Sequence, residues 1–150
     1  MTFSLVNAKA EDAPFVRKCA RLAYAHYVER MGREPAPMIA DFEKAIAERQ
    51  VDILNFDAQQ AGYAITFARG DHLFVENVAI LPALQGKGLA GALFKELENR
   101  TRSMELAAIE LYTNEKMLEN LGLYTHLGFK EIERRIEDGF HRVYFRKTVN

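Results

Sequence analysis

The stretch that decides the fold runs Val78-Ala79-Ile80-Leu81-Pro82 and, two residues on, Gln85-Gly86-Lys87-Gly88-Leu89-Ala90-Gly91. A run of β-formers is closed by a proline, and a glycine-rich loop follows. Leu89, Leu93, Phe94 and Leu97 then recur at helical spacing to about Arg102. The pattern is strand, loop, helix. Glycine lets the chain turn tightly and lets a ligand approach the main chain. The first amides of the helix have no internal partner, and the helix dipole adds partial positive charge beside them. Such a loop is an anion site suited to a diphosphate.

Three nucleotide readings compete for it. A Walker loop needs Gly-Lys-Ser/Thr before the helix, whereas Lys87 is followed by Gly88. A dinucleotide fingerprint fits in letters, since Gly86, Gly88 and Gly91 spell G-x-G-x-x-G and Glu110 follows about twenty residues on. Leu81–Gln85, however, separates the strand from the glycines, where that fingerprint wants a tight junction. Glu110 also lies inside a strand, not at its end.

Outward from the loop, the N-terminal half reads as follows. Phe3 and Leu5 suggest a first strand. Asp12 is placed to cap a helix with Pro14 in its first turn. Phe15, Cys19, Leu22, Ala23 and Tyr27 share a face of that helix, which should stop near Gly32. Gly32–Met38, with Pro35 and Pro37, reads as a loop. A second helix spans about Ile39–Glu48, with Ile39, Phe42 and Ile46 on one side. Val51–Phe56, a turn at Asp57–Gln60 and Ala61–Ala68 make a hairpin. Arg69-Gly70-Asp71 turns the chain into the strand His72–Leu81, in which Glu76 and Asn77 interrupt an apolar run. Polar residues at such positions mark where a site could lie.

After the loop helix, Leu106–Thr113 is a buried strand. Met117, Leu118, Leu121, Tyr124 and Leu127 form a helix ended by Gly128. Phe129–Ile136 and Phe140–Val149 form a hairpin turned by Glu137-Asp138-Gly139. The order β-α-α-β-β-β-α-β-α-β-β needs both parallel and antiparallel pairing, hence a mixed-sheet α/β fold. The last strand has aromatic residues on both parities, which suits either pairing with another subunit or burial inside the sheet.

The chain has 150 residues, 49% hydrophobic and 27% charged, which suits a single domain over 1–150. Its net charge of −1 argues against gripping nucleic acid or an anionic membrane. The single cysteine, Cys19, excludes an internal disulfide and a thiolate metal site, and suits a reducing compartment. No apolar run approaches the roughly 20 residues that span a bilayer, and MTFSLVNAKAED does not read as a signal peptide. The expectation is a cytoplasmic protein without a metal.

Gln85, Gly88 and Ala90 fit Gln/Arg-x-x-Gly-x-Gly/Ala after a strand ending near proline. Downstream stand Asn114 and Tyr124-Thr125-His126-Leu127-Gly128-Phe129, a Tyr-x-x-x-Gly-Phe pattern. Together these resemble the two landmarks of the GCN5-related N-acetyltransferase family across about Phe74–Phe129. The resemblance implies a sheet splayed into a V by a bulge before the loop, with acetyl-CoA as cosubstrate. Main-chain groups of Val78, Ala79 and Ile80 would pair with the pantetheine arm. Amides of Gln85, Gly86, Lys87, Gly88, Leu89, Ala90 and Gly91 would hold the diphosphate, and Asn114 would contact the pantetheine. The acceptor would be a primary amine of a small molecule or peptide, attacking the thioester directly.

Such an amine, with a pKa near 10, must lose a proton, and a carboxylate can accept it. The departing thiolate needs a donor, for which a phenol suits. The family pattern places Tyr124 as that acid, although it also fits a core face with Leu121 and Leu127. Glu76 is the leading base, with pairing to an arginine as the other reading. His72, His141 and Glu110 are further candidates, and Cys19 reads as core. The segment from Tyr24 to Met38 would form the acceptor rim, or else a surface loop packed through Tyr27 and Met38. A non-catalytic acyl-CoA-binding or sensing module is the alternative function. A homodimer is compatible with either.

Overall fold

The computed structural model describes residues 2–149. The strands are β1 (Phe3–Asn7), β2 (Val51–Phe56), β3 (Gln59–Arg69), β4 (His72–Ile80), β5 (Ala108–Asn114), β6 (Lys130–Glu137) and β7 (Phe140–Thr148). The helices are α1 (Ala13–Met31), α2 (Phe42–Ala47), α3 (Leu89–Ser103) and α4 (Leu118–His126). Their order is the one the sequence implies. The strands form one seven-stranded mixed sheet in the order β1-β2-β3-β4-β5-β7-β6. α3 crosses from β4 to β5, and these two strands pair in parallel over His72–Val75 and Ala108–Leu111. No helix among the described residues is long and apolar enough to cross a membrane.

The chain divides into two compact units, Met1–Thr66 with Asn77–Phe94, and Phe67–Glu76 with Lys95–Asn150. In the first unit, α1 buries Val16, Ala20, Ala23 and Tyr27, spaced i, i+4, i+7 and i+11. Leu22, expected on that face, sits beside the stripe and is 46% exposed. Asp12 does not cap α1 as expected. Its carboxylate turns back, accepting from the Lys9 amide at 2.9 Å and from Gln60 at 3.0 Å, and so holds the short 3-10 turn Ala10–Asp12. Gly32 ends α1 at φ 75°.

Pro35 and Pro37 do not leave an irregular loop. Ala36–Ile39 winds into a 3-10 turn, since proline is tolerated in a first turn. α2 begins only after Asp41, whose carboxylate accepts from the Lys44 amide at 3.0 Å. Ile39 therefore lies outside the helix and is exposed. The β2–β3 hairpin closes with two residues, Asp57 and Ala58, both at positive φ. That geometry matches the twist of a tight hairpin, so pairing starts at Gln59, earlier than expected.

In the second unit, β7 lies between β5 and β6. Both of its edges are taken, so it offers none to another subunit. The outer strand is β6, exposed along nearly its whole length. Gly128, at φ 95°, follows α4, and Lys147 Nζ donates to the Leu127 carbonyl at 2.8 Å and to Glu98 at 3.1 Å. A cation at a helix C-terminus satisfies its orphan carbonyls.

Candidate active site

In the first unit the loop is pinned at both ends. Leu84 and Ile80 pack on a cluster of Leu54, Ala61 and Leu89. The spacer noted in the sequence is a 3-10 turn, Pro82–Leu84, and the Gln85 side chain donates to the Ile80 carbonyl at 3.0 Å. Gly86 and Gly88 both hold φ 80°, a conformation that disfavours other residues. The first helical bond is from the Ala92 amide to the Gly88 carbonyl, 3.2 Å. The amides just before Ala92 therefore face outward at the helix start. Lys87 is exposed. A Cβ on Gly86, Gly88 or Gly91 would meet nothing within 4 Å, so the surface over the loop is open.

The strand leading to it presents an ordered set of main-chain groups. Leu81 donates to the Ala61 carbonyl at 2.8 Å, and a Cβ on Gly62 would lie 2.3 Å from the Ala79 carbonyl oxygen. Ala79 and Leu81 are thus turned toward β3. Val78 and Ile80 alternate with them and point the other way. The Val78 carbonyl accepts from the Tyr24 hydroxyl at 2.6 Å, and the Ile80 carbonyl accepts from Gln85. A carbonyl has two lone pairs, so each retains one for a ligand. Sequence reasoning placed Tyr24 only on the acceptor rim and passed over Gly62. Both act on main-chain atoms, which leave no pattern in the side-chain sequence.

In the second unit stand Glu76, Asn114 and Tyr124. Tyr124 is buried on α4, its ring 6.0 Å from Phe129 and 5.9 Å from Phe145. Asn114 ends β5. Its side-chain oxygen accepts from the Lys116 amide at 2.9 Å, so the turn uses the oxygen and the NH2 group stays available. Glu76 is half-buried on β4, and its charge helps raise the pKa of Tyr112, an effect led by burial of that phenol.

The other base candidates are engaged elsewhere. Arg146 binds Glu110 at 2.6 Å and Asp71 at 3.0 Å, while His72 Nδ1 lies 3.1 Å from Asp71 and 3.6 Å from Glu110. Asp71, His72 and Glu110 have the spacing of a metal site, but the Arg146 guanidinium already supplies the positive charge there. His141 is exposed and 3.3 Å from Glu115. Cys19 is buried, and burial pushes its thiol up to about 12, so it stays protonated and inert.

The arrangement in the first unit, strand carbonyls that each keep a lone pair and lead into an open helix start, suits an extended ligand ending in a diphosphate. Comparisons with known proteins bear on the fold and the family. No curated protein sequence matches the chain. Among solved structures, the ribosomal-protein-S18-alanine N-acetyltransferase from Escherichia coli is 21% identical, with a TM-score of 0.75 over 99% of this chain and 94% of that one. The PaiA N-acetyltransferase from Thermoplasma acidophilum, solved in complex with coenzyme A, is 18% identical, with a TM-score of 0.77 over 99% of both chains. Ard1 from Thermoplasma volcanium is 12% identical, with a TM-score of 0.77 over 100% of this chain and 99% of that one. At these identities the likeness concerns the fold. The family model for Acetyltransferase (GNAT) matches residues 17–129, the greater part of the chain, and this protein therefore belongs to that acyltransferase family.

Proposed function

We propose that the chain is a single N-acetyltransferase domain that carries the acetyl group of acetyl-CoA to a primary amine of a small molecule or peptide, by direct attack. The observation that carries this reading is the loop Gln85–Gly91, with Gly86 and Gly88 at φ 80° at the open start of α3. The coenzyme A bound to the PaiA N-acetyltransferase supports the choice of cosubstrate. Amides of Gln85, Gly86, Lys87, Gly88, Leu89, Ala90 and Gly91 would bind the diphosphate. Val78 and Ile80 would pair with the pantetheine arm, Ala79 setting their spacing, and the NH2 group of Asn114 would donate to it.

Glu76 then takes the proton of the attacking amine, directly or through water, and Tyr124 donates to the departing thiolate. No covalent enzyme intermediate is needed. A phenol with a reference pKa of about 10 holds its proton at neutral pH until the thiolate forms. The proposed setting is cytoplasmic.

The test is release of the coenzyme thiol from acetyl-CoA with a broad panel of amines, beside thermal shifts with acetyl-CoA and with NAD. Turnover with some amine and stabilisation by acetyl-CoA are expected. Stabilisation by acetyl-CoA with no turnover on any amine would leave a binding module, and stabilisation by NAD alone would overturn the reading.

A further inference from the structure

A polar side chain in the middle of an apolar strand requires partners of its own. Asn77 is 4% exposed, with Val75 and Ala79 buried at the alternate positions on either side. Its carboxamide is used from both ends. The oxygen accepts from the Tyr63 hydroxyl at 2.8 Å, and the NH2 group donates to the Pro37 carbonyl at 3.2 Å. Tyr63 is fully buried on β3 and meets Phe42 edge-on at 6.0 Å, so its hydroxyl has a fixed place. Pro37 belongs to the 3-10 turn Ala36–Ile39, which is closed by the Met38 amide donating to Pro35 at 3.0 Å.

One residue on, the Val78 carbonyl is held by Tyr24 of α1. Residues 77 and 78 of the coenzyme strand are thus tied to both arms of the segment from Tyr24 to Met38. The Asn77 carboxamide carries an acceptor and a donor on separate atoms, so it accepts from one neighbour while donating to another. A hydrophobic residue would fill the space but would leave the Tyr63 hydroxyl unpaired and the turn untethered.

We propose that Asn77 is a positioning residue that sets the turn 36–39 against the coenzyme strand, so that acceptor binding depends on it far more than coenzyme binding does. This rests on the acetyltransferase reading, with the segment from Tyr24 to Met38 on the acceptor side. The carboxamide fixes the turn, the turn fixes the rim, and the rim fixes the approach of the amine. A loosely held rim costs affinity for the acceptor, because ordering it must then accompany binding.

Asn77→Asp tests it at a pH where the new carboxyl is ionised, since the shape is kept, the carboxylate still accepts from Tyr63 and it cannot donate to Pro37. The probes are coenzyme A, and whichever of spermidine, tyramine and a peptide with N-terminal alanine wild type acetylates best. Acceptor KM is expected to rise tenfold or more, with the Kd of coenzyme A within threefold of wild type. Tyr63→Phe, which spares the tether, should raise acceptor KM less than threefold. Unchanged acceptor KM in Asn77→Asp, or equal changes in KM and coenzyme Kd, would overturn the inference. Asn77→Ser, too short to reach both partners, replaces Asn77→Asp if that variant does not fold.

Hydrogen exchange supplies a reading that needs no acceptor. Coenzyme A should slow exchange of the amides of residues 36 and 38–40 in wild type and not in Asn77→Asp. Equal slowing in both would refute the tether. Failure of wild type to consume acetyl-CoA with any amine would instead strike the acetyltransferase reading, and exchange alone would then decide the role of Asn77.

Discussion

Gly62 on β3 faces the Ala79 carbonyl of β4 so closely that a Cβ would lie 2.3 Å from the oxygen. The obstacle is backbone on both sides, so no side chain can swing away. Gly62→Ala must push β4 aside, which costs about 1–3 kcal/mol by the usual price of overpacking. Because Ala79 sits between Val78 and Ile80, the displacement also moves the main-chain groups proposed to pair with the coenzyme. Urea unfolding should show the loss of stability, and titration with coenzyme A should show an affinity at least tenfold weaker. Wild-type stability and affinity in Gly62→Ala would show that the close approach is dispensable.

Gly91 is the opposite case. It lies in the first turn of α3 region where a Cβ would meet nothing within 4 Å, and its φ is not in the left-handed range. Glycine inside a helix is worse than alanine by about 1 kcal/mol. Gly91→Ala should therefore raise the unfolding free energy by about 0.5–1 kcal/mol. The same open surface is where the diphosphate is proposed to lie, so coenzyme affinity should fall as stability rises. Thermal melts with and without coenzyme A measure both. A variant more stable and equally tight would place the phosphate elsewhere.

The elements themselves were legible because their signals are local. Buried helical spacing, glycine after helices and Asp138-Gly139 in the last hairpin depend on neighbours within one turn. What was not legible depends on distant main-chain atoms. Asp12 turned back because the Lys9 amide and Gln60 offered it partners. Ile39 left the helix because Asp41 caps a later start. Asn77 stood out as a polar break in β4, but its partners, Tyr63 and the Pro37 carbonyl, lie 14 and 40 residues away in sequence. Tyr24 was read only as part of the acceptor rim, and its bond to β4 gave no signal, since its partner is a carbonyl that any residue at position 78 would carry.

Asp71 links stability to acidity. Hydrogen bonds from Arg146 first, and then His72, hold its carboxyl well below its ordinary value of 3.8. A depressed carboxyl stabilises the fold at pH above that ordinary value, and the contribution disappears as pH falls through the folded pKa. Asp71→Asn should therefore be less stable than wild type at neutral pH, and the gap should close in strong acid. The pair is exposed on the Asp71 side, so the gap should be small and should shrink with salt. Urea midpoints of both proteins between neutral pH and about pH 2 provide the measurement. A gap that persists unchanged at the acid end would mean that the carboxylate charge is not its source.

Tyr124 separates packing from chemistry. Its ring is buried against Phe129 and Phe145, and Tyr124→Phe keeps that ring while deleting only the hydroxyl. If the hydroxyl donates to the leaving thiolate, turnover should drop tenfold or more, about 1.4 kcal/mol in barrier. Coenzyme affinity should hardly move, because the thiolate exists only once the thioester is breaking. Turnover should also recover in part with an acyl thioester whose thiol is more acidic, since such a leaving group needs less help from a proton donor. Steady-state rates on acetyl-CoA and on that activated thioester, beside the Kd of coenzyme A, distinguish the cases. Full turnover in Tyr124→Phe would make Tyr124 a core residue of α4 and nothing more.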